Sequence, residues 1–167
     1  MKLEKWAMVG EIIASIAIVV TLAILIVELR GNTNAIQVAT IENVTDGWIG
    51  LNQSVVSDPQ VARALIVGLY NPDALTDVEA VQLSMWLRMF VNQVERVVEH
   101  HAIGLIPDSE YEDALHQLAW LTETPGGQQA WEAEPYRQEF WGELLQPYWG
   151  KPPRADLILG RDPSLVE

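Results

Sequence analysis

The stretch MVGEIIASIAIVVTLAILIVELRGNTNA, Met8 to Ala35, decides how the rest of the chain is read. From Trp6 to Val27 there are 22 residues, interrupted only by Glu11, Ser15 and Thr21. As a helix rising ~1.5 Å per residue this run spans roughly 33 Å, the depth of a ~30 Å hydrocarbon core. A secretory leader is the competing reading, and its apolar region has about 7–15 residues before a small-residue cleavage site. Here the charge-free run from Ile12 to Val27 is longer and Glu28-Leu29-Arg30 follows it, although Thr33-Asn34-Ala35 has the form of a cleavage site. Residues 1–30 therefore read as an uncleaved transmembrane signal-anchor. Lys2 and Lys5 precede the span and Arg30 alone closely follows it. The positive-inside rule then puts the amino terminus in the cytoplasm and the rest of the chain on the exported side.

Two features of the span bear on function. Ala7, Gly10, Ala14, Ala17 and Thr21 recur at spacings of 3, 4, 3 and 4, a seam of small side chains. Spans associate by close backbone approach rather than by hydrophobicity, and a small-residue seam permits that approach. Small residues are also common in spans generally, so the seam alone does not require a partner. Glu11 lies about five residues, roughly 7.5 Å, inside the span. That depth lets its carboxylate snorkel to the headgroups. Its place beside the seam, one turn from Ser15, would instead turn it toward neighbouring copies or a pore mouth.

Charge separates the anchor from the remainder of the chain. Three of the ten basic and three of the 23 acidic residues lie before Gly31, so residues 31–167 hold seven against 20 and carry the whole net charge of −13. Such a surface repels phosphate backbones, which argues against nucleic acid as a partner. Without cysteine there is no disulfide frame, thiolate metal site or thiol nucleophile.

Beyond the anchor every signal is helical, and the chain reads as all-α. The join RGNTNA marks a hinge or a helix continuing out of the membrane through a post-membrane segment, 31–56. There Ile41, Val44, Trp48, Leu51 and Val55 repeat the 3, 4, 3, 4 spacing. An acidic helical domain, 57–150, comes next. Ser57 or Asp58 caps a helix with Pro59 at its first position, ending near Asn71-Pro72. Thr76–Glu79, TDVE, is a capping box opening a helix to about Ile103 with Leu83, Leu87, Phe90, Val94 and Val97 on its core face. Gly104 and Pro107 end it. Ser109–Glu112, SEYE, reads as a second capping box for a helix to about Leu121. Thr124 caps a short helix with Pro125 at N1, and a last helix runs from about Tyr136 to Gln146. The tail 151–167 is proline-punctuated and reads as extended or disordered.

The join LIVELRGNTNAIQVAT and the segment from NQVERVVEHH to TPGGQQAWEA resemble a group of small bacterial membrane proteins. Their pattern is an N-terminal span ending in Leu-x-x-(Gln/Glu)-(Leu/Ile)-Arg-x-Asn-Thr-x-Ala, then a long helix with Asn-x-x-(Gln/Glu), a Gly-Leu-Ile/Val turn, and Thr-Pro-Gly with a following Trp. Arg30, Asn32, Thr33, Ala35, Asn92, Glu95, Gly104, Thr124, Pro125, Gly126 and Trp131 carry the likeness, which covers most of residues 10–145. It implies a bacterial inner-membrane, single-pass architecture and no reaction.

Candidate chemistry is sparse. Glu95 and Glu99 share a helix face with Arg88 and Asn92, and Glu112 and His116 lie one turn apart on the next helix. Carboxylates with imidazoles suit iron or zinc. The paired Glu-x-x-His of bundle di-metal sites is absent, and His100 and His101 point about 100° apart. The plainer reading pairs Arg88 and Arg96 with Glu95 and Glu99 in a solvated stripe. No catalytic residue, metal site or cofactor is assigned. Of the seven tryptophans, Trp6 suits an interfacial anchor, while Trp120, Trp131 and Trp141 suit the core or an interface rather than a ligand cage. TPGGQQ lacks the lysine and length of a phosphate loop. The expectation is a membrane-anchored homo-oligomer whose partners are itself and the bilayer, with room left for an unidentified protein partner. It would act as a scaffold, or as a pore lined near Gly10, Glu11, Ala14, Ser15, Ala17 and Thr21. The alternative is a membrane-tethered helical enzyme or ligand sensor using the carboxylate and His116 positions.

Overall fold

The computed structural model describes the backbone of residues 2–133 and 135–151, and side chains at 6, 8, 10–133 and 140–151. The tail, from residue 152 on, lies outside the described residues. Among the described residues six α-helices occur in order: α1 (Lys2–Ser57), α2 (Pro59–Tyr70), α3 (Asp77–Ala102), α4 (Asp108–Glu123), α5 (Pro125–Glu132) and α6 (Pro135–Leu145), with a 3₁₀ turn at Pro72–Ala74. No strand occurs among the described residues, and the expected all-α class is what the chain adopts. The chain divides into two units, residues 1–39 and 40–167.

The first unit is helical throughout its described length, and Gly31 and Asn32 do not interrupt the helix. Its apolar side chains are exposed at every described position from Trp6 to Leu29. This is a helix long and apolar enough to cross a membrane. Its hydroxyls are satisfied locally. Ser15 donates to the Glu11 carbonyl at 2.8 Å, Thr21 to Ala17 at 2.9 Å and Thr33 to Leu29 at 2.9 Å. Each back-bond pairs the hydroxyl within its own helix.

The second unit is a small bundle whose boundaries are set by caps. Asp58 accepts from the Gln60 amide at 2.8 Å with Pro59 at the first position. The Thr76–Glu79 capping box forms in both directions. Glu79 also binds Arg63 of α2, so this cap ties two helices together. Its carboxyl is held well below the usual range, to about 2, first by the Thr76 backbone amide and then by Arg63. The α3 helix ends where Gly104 turns to φ +75°, and the amides of Gly104 and Leu105 return to the carbonyls of His101 and His100. The expected SEYE box does not form. Helix α4 starts two residues earlier, after Pro107 as N-cap, with no side-chain cap. Pro107 already has the extended backbone of an N-cap, and its carbonyl takes the amides of Glu110 and Tyr111.

The core forms from the periodic faces. Leu83, Leu87, Phe90, Val94 and Val97 of α3 are all buried, as are Val44 and Leu51, with Ile41, Trp48 and Val55 packed beside them. Burying each such side chain contributes about 1.5–3 kcal/mol. Trp141 is fully enclosed, while Trp120 and Trp131 lie at the margin of the same core.

The TPGG sequence does more than cap α5. Thr124 accepts from the Gly127 amide at 3.1 Å and donates to the Leu121 carbonyl at 2.7 Å. A Cβ on Gly126 would lie 2.0 Å from the Gly68 carbonyl oxygen of α2, and one on Gly127 would lie 1.8 Å from the Leu121 oxygen. A Cβ on Gly68 in turn would strike Leu83 and Leu75. Two backbones touch here, and backbone cannot move aside as a side-chain tip can.

Both the glycine contact and the Glu79 cap can be tested by substitution. Gly126→Ala lowers the unfolding free energy by about 2 kcal/mol or more in denaturant titration, whereas Gln128→Ala on the exposed face of the same helix changes it little. The Glu79 network stabilises fully above pH 4.5, and its contribution is lost as pH falls from there toward about 2. Glu79→Gln should therefore flatten the acid limb of a stability–pH profile in that window and leave its alkaline side unchanged in slope.

Candidate functional site

The four residues considered for a metal do not come together. Glu95 and Glu99 are exposed on α3, on the flank away from its buried face, and Glu112 is exposed on α4. His116 is half-buried with its ring edge-on to Tyr148, 4.6 Å between centroids. No group of three or more His, Asp or Glu side chains that could hold a metal ion occurs among the described residues. The imidazoles serve structural contacts instead. His101 stacks on Tyr111 at 4.0 Å and meets the Asp108 carboxylate at 2.9 Å, pinning the turn between α3 and α4. Burial raises the Tyr148 phenol above its ordinary value, reinforced by the Glu112 carboxylate and then by Tyr111. The ring contact of His116 with Tyr148 joins α4 to the chain after α6.

The residues considered for an oligomer or pore all lie along one helix. Gly10, Glu11, Ala14, Ser15, Ala17 and Thr21 are exposed, and a Cβ placed on Gly10 would meet nothing. Ala7, first in the seam, is outside the described side chains.

A different concavity occurs in the second unit, between the last turns of α1 and helices α2, α3 and α4, with a volume of about 550 Å³. That is within the ~300–1,000 Å³ usual for small-ligand sites. Its aromatic wall is Trp48, Trp86, Phe90 and Trp120. Trp48 meets Phe90 edge-on at 5.3 Å and Trp86 stacks on Phe90 at 5.4 Å. Such large side chains at facing seam positions hold the helices apart, which leaves the space unfilled. Glu110 and Asp113, both on α4, are the charged residues among the described residues of its lining. Trp86 Nε1 and, one turn before it, Gln82 Oε1 are buried with no hydrogen-bond partner among the described residues. Sequence reasoning misses this hollow. The signal for it was Trp48 and Phe90, each the bulkiest residue on its own core face.

Beside Val44, which lines the hollow, a polar contact holds α1 to α3. Gln93, buried in the core, donates its amide to the Val44 carbonyl at 2.8 Å. It fits because position 47 is glycine, where a Cβ would stand 2.4 Å from Gln93 Oε1. No family model matches the chain, nor does any curated protein or solved structure.

Gly47→Ala should expel the Gln93 amide from its notch. The expected cost is about 1–2 kcal/mol for the lost buried hydrogen bond, with faster amide hydrogen exchange over residues 40–57 and unchanged exchange in α4 and α5.

Proposed function

We propose that the protein is a single-span membrane protein of the bacterial inner membrane that assembles with copies of itself, its acidic helical domain on the periplasmic side. The observation that carries this reading lies in the second unit, where lipid does not account for exposed apolar surface. Val78, Val81, Met85 and Met89 succeed one another along α3 at spacings of 3, 4 and 4, and each is more than half exposed. They lie on the side of α3 opposite its buried face. A continuous apolar stripe on an otherwise strongly acidic surface suits a protein contact rather than solvent. Its flexible methionines adapt to a neighbour's shape.

The span supports the same reading independently. Its seam presents small side chains, and the Ser15 and Thr21 hydroxyls are folded back onto their own helix. A second helix can approach such a face closely without leaving a polar atom unpaired. The assembly would serve as a membrane scaffold. With enough subunits it would enclose a pore, and a ring of Glu11 carboxylates would favour cations.

Native mass spectrometry and crosslinking of the full chain in mild detergent should give one discrete oligomer. Met85→Glu with Met89→Glu should lower its population about tenfold or more, and Ala14→Leu with Ala17→Leu should do so through the span. A chain that stays monomeric across detergents overturns both the scaffold and the pore. If the oligomer forms, Glu11→Gln in planar bilayers separates them, since a pore loses cation preference and a scaffold passes no current.

A further inference from the structure

The hollow walled by Trp48, Trp86, Phe90 and Trp120 lies apart from the α3 stripe, none of whose four residues lines it. We infer that its occupant is a segment of the same chain, with Leu157, Ile158 and Leu159 seated against those rings. The wall is aromatic and aliphatic, Leu65 and Val97 completing it, so burial of apolar side chains is favourable there. After Arg30 the chain has two runs of three consecutive Leu, Ile or Val residues, Leu65–Val67 within α2 and Leu157–Leu159.

The segment also starts in the right place. Trp149 donates its indole N–H to Thr122 Oγ1 at 3.2 Å, and Gly150 donates its amide to Glu123 Oε1 at 2.6 Å. Thr122 and Glu123 directly follow Trp120 and Leu121, which line the hollow. The six steps from Lys151 to Leu157 reach up to ~20 Å, beyond the ~10–12 Å width of the helix to be crossed. A segment on so short a tether has an effective concentration of about a millimolar, so apolar contacts too weak to hold a free peptide suffice. Charge acts in the same direction. Lys151, Arg154 and Arg161 are three of the seven basic residues after Arg30. Helix α4 has Asp108, Glu110, Glu112, Asp113 and Glu123 and no Lys or Arg. The field of the whole helix, rather than any one ion pair, draws these cations toward it. The hollow is thereby closed from within, and another apolar molecule enters only by displacing the tail.

The chain has no cysteine, so paired substitutions give a clean test in the full-length protein in nanodiscs. Ile158→Cys is combined with Asn52→Cys on the α1 wall or Gln117→Cys on the α4 wall, and a disulfide forms only where the Cα atoms come within ~7 Å. Mild oxidation should give an internal disulfide from at least one wall. It should form about tenfold faster or more than with Glu95→Cys, on the exposed flank of α3 away from the hollow. In the cysteine-free chain labelled on its indole nitrogens, Leu157→Asp with Leu159→Asp should shift the Trp48 and Trp120 resonances. That of Trp141, enclosed in the core, should stay in place. The same pair should spare the oligomer seen by native mass, which keeps this test separate from that of assembly. No preference over Glu95 from either wall overturns the inference, as do indole resonances unmoved by the aspartates. Disulfides that join two chains instead of closing within one also overturn it, and assign the hollow to a second copy.

Discussion

The second unit is organised around the place where Gly126 of α5 lies against the backbone of Gly68 of α2. Neither glycine acts through conformational freedom, since both are in helices. Each is there because a side chain would occupy space already taken by main chain or by Leu83 and Leu75. Close backbone contact is short-ranged and steep, so it fixes the separation of two helices more sharply than interdigitated leucines do. Once α2 and α5 are fixed, Leu83 brings in α3 and Thr124 brings in the end of α4. The Thr76–Glu79 cap with Arg63 adds a polar tie between α2 and the start of α3.

That arrangement explains which parts of the fold were legible in sequence. Caps and periodic faces are local, so Thr76, Thr124 and the Leu83–Val97 face could be read directly, as could a cap at Ser57 or Asp58, of which the structure uses Asp58. Ser109 misled because a capping box and a proline N-cap compete for the same turn, and Pro107 needs no side-chain hydrogen bond to start a helix. TPGG was legible as a helix start but not as a contact, because the partner glycine is 58 positions away in the chain. The candidate site was less legible still. Glu95, Glu99, Glu112 and His116 have suitable chemistry and share helical faces, yet α3 turns its carboxylates to solvent while His116 goes to Tyr148. Same-face spacing on one helix says nothing of which face a neighbour meets.

The aromatic hollow and the α3 stripe show the same limit from the opposite side. Trp48 and Phe90 each looked like ordinary core residues, and both are. Only their meeting across two helices leaves space beside them. Val78, Val81, Met85 and Met89 were uninformative as single apolar residues. They lie opposite the face read as core, and their exposure in the folded domain is what makes them informative.

The Gln93 contact has a consequence for alignment. The apolar seam of residues 41–55 reproduces itself after seven positions, with Ile41 mapping onto Trp48, Val44 onto Leu51 and Trp48 onto Val55. Hydrophobic matching therefore has a second solution displaced by about 10.5 Å along the helix. The notch that receives Gln93 has no such echo. Seven positions either way from Gly47 stand Thr40 and Ser54, both with a Cβ where the amide must enter. A single buried amide thus makes a repeating surface unique. It sets a zero point on a scale that leucines and valines alone leave sliding.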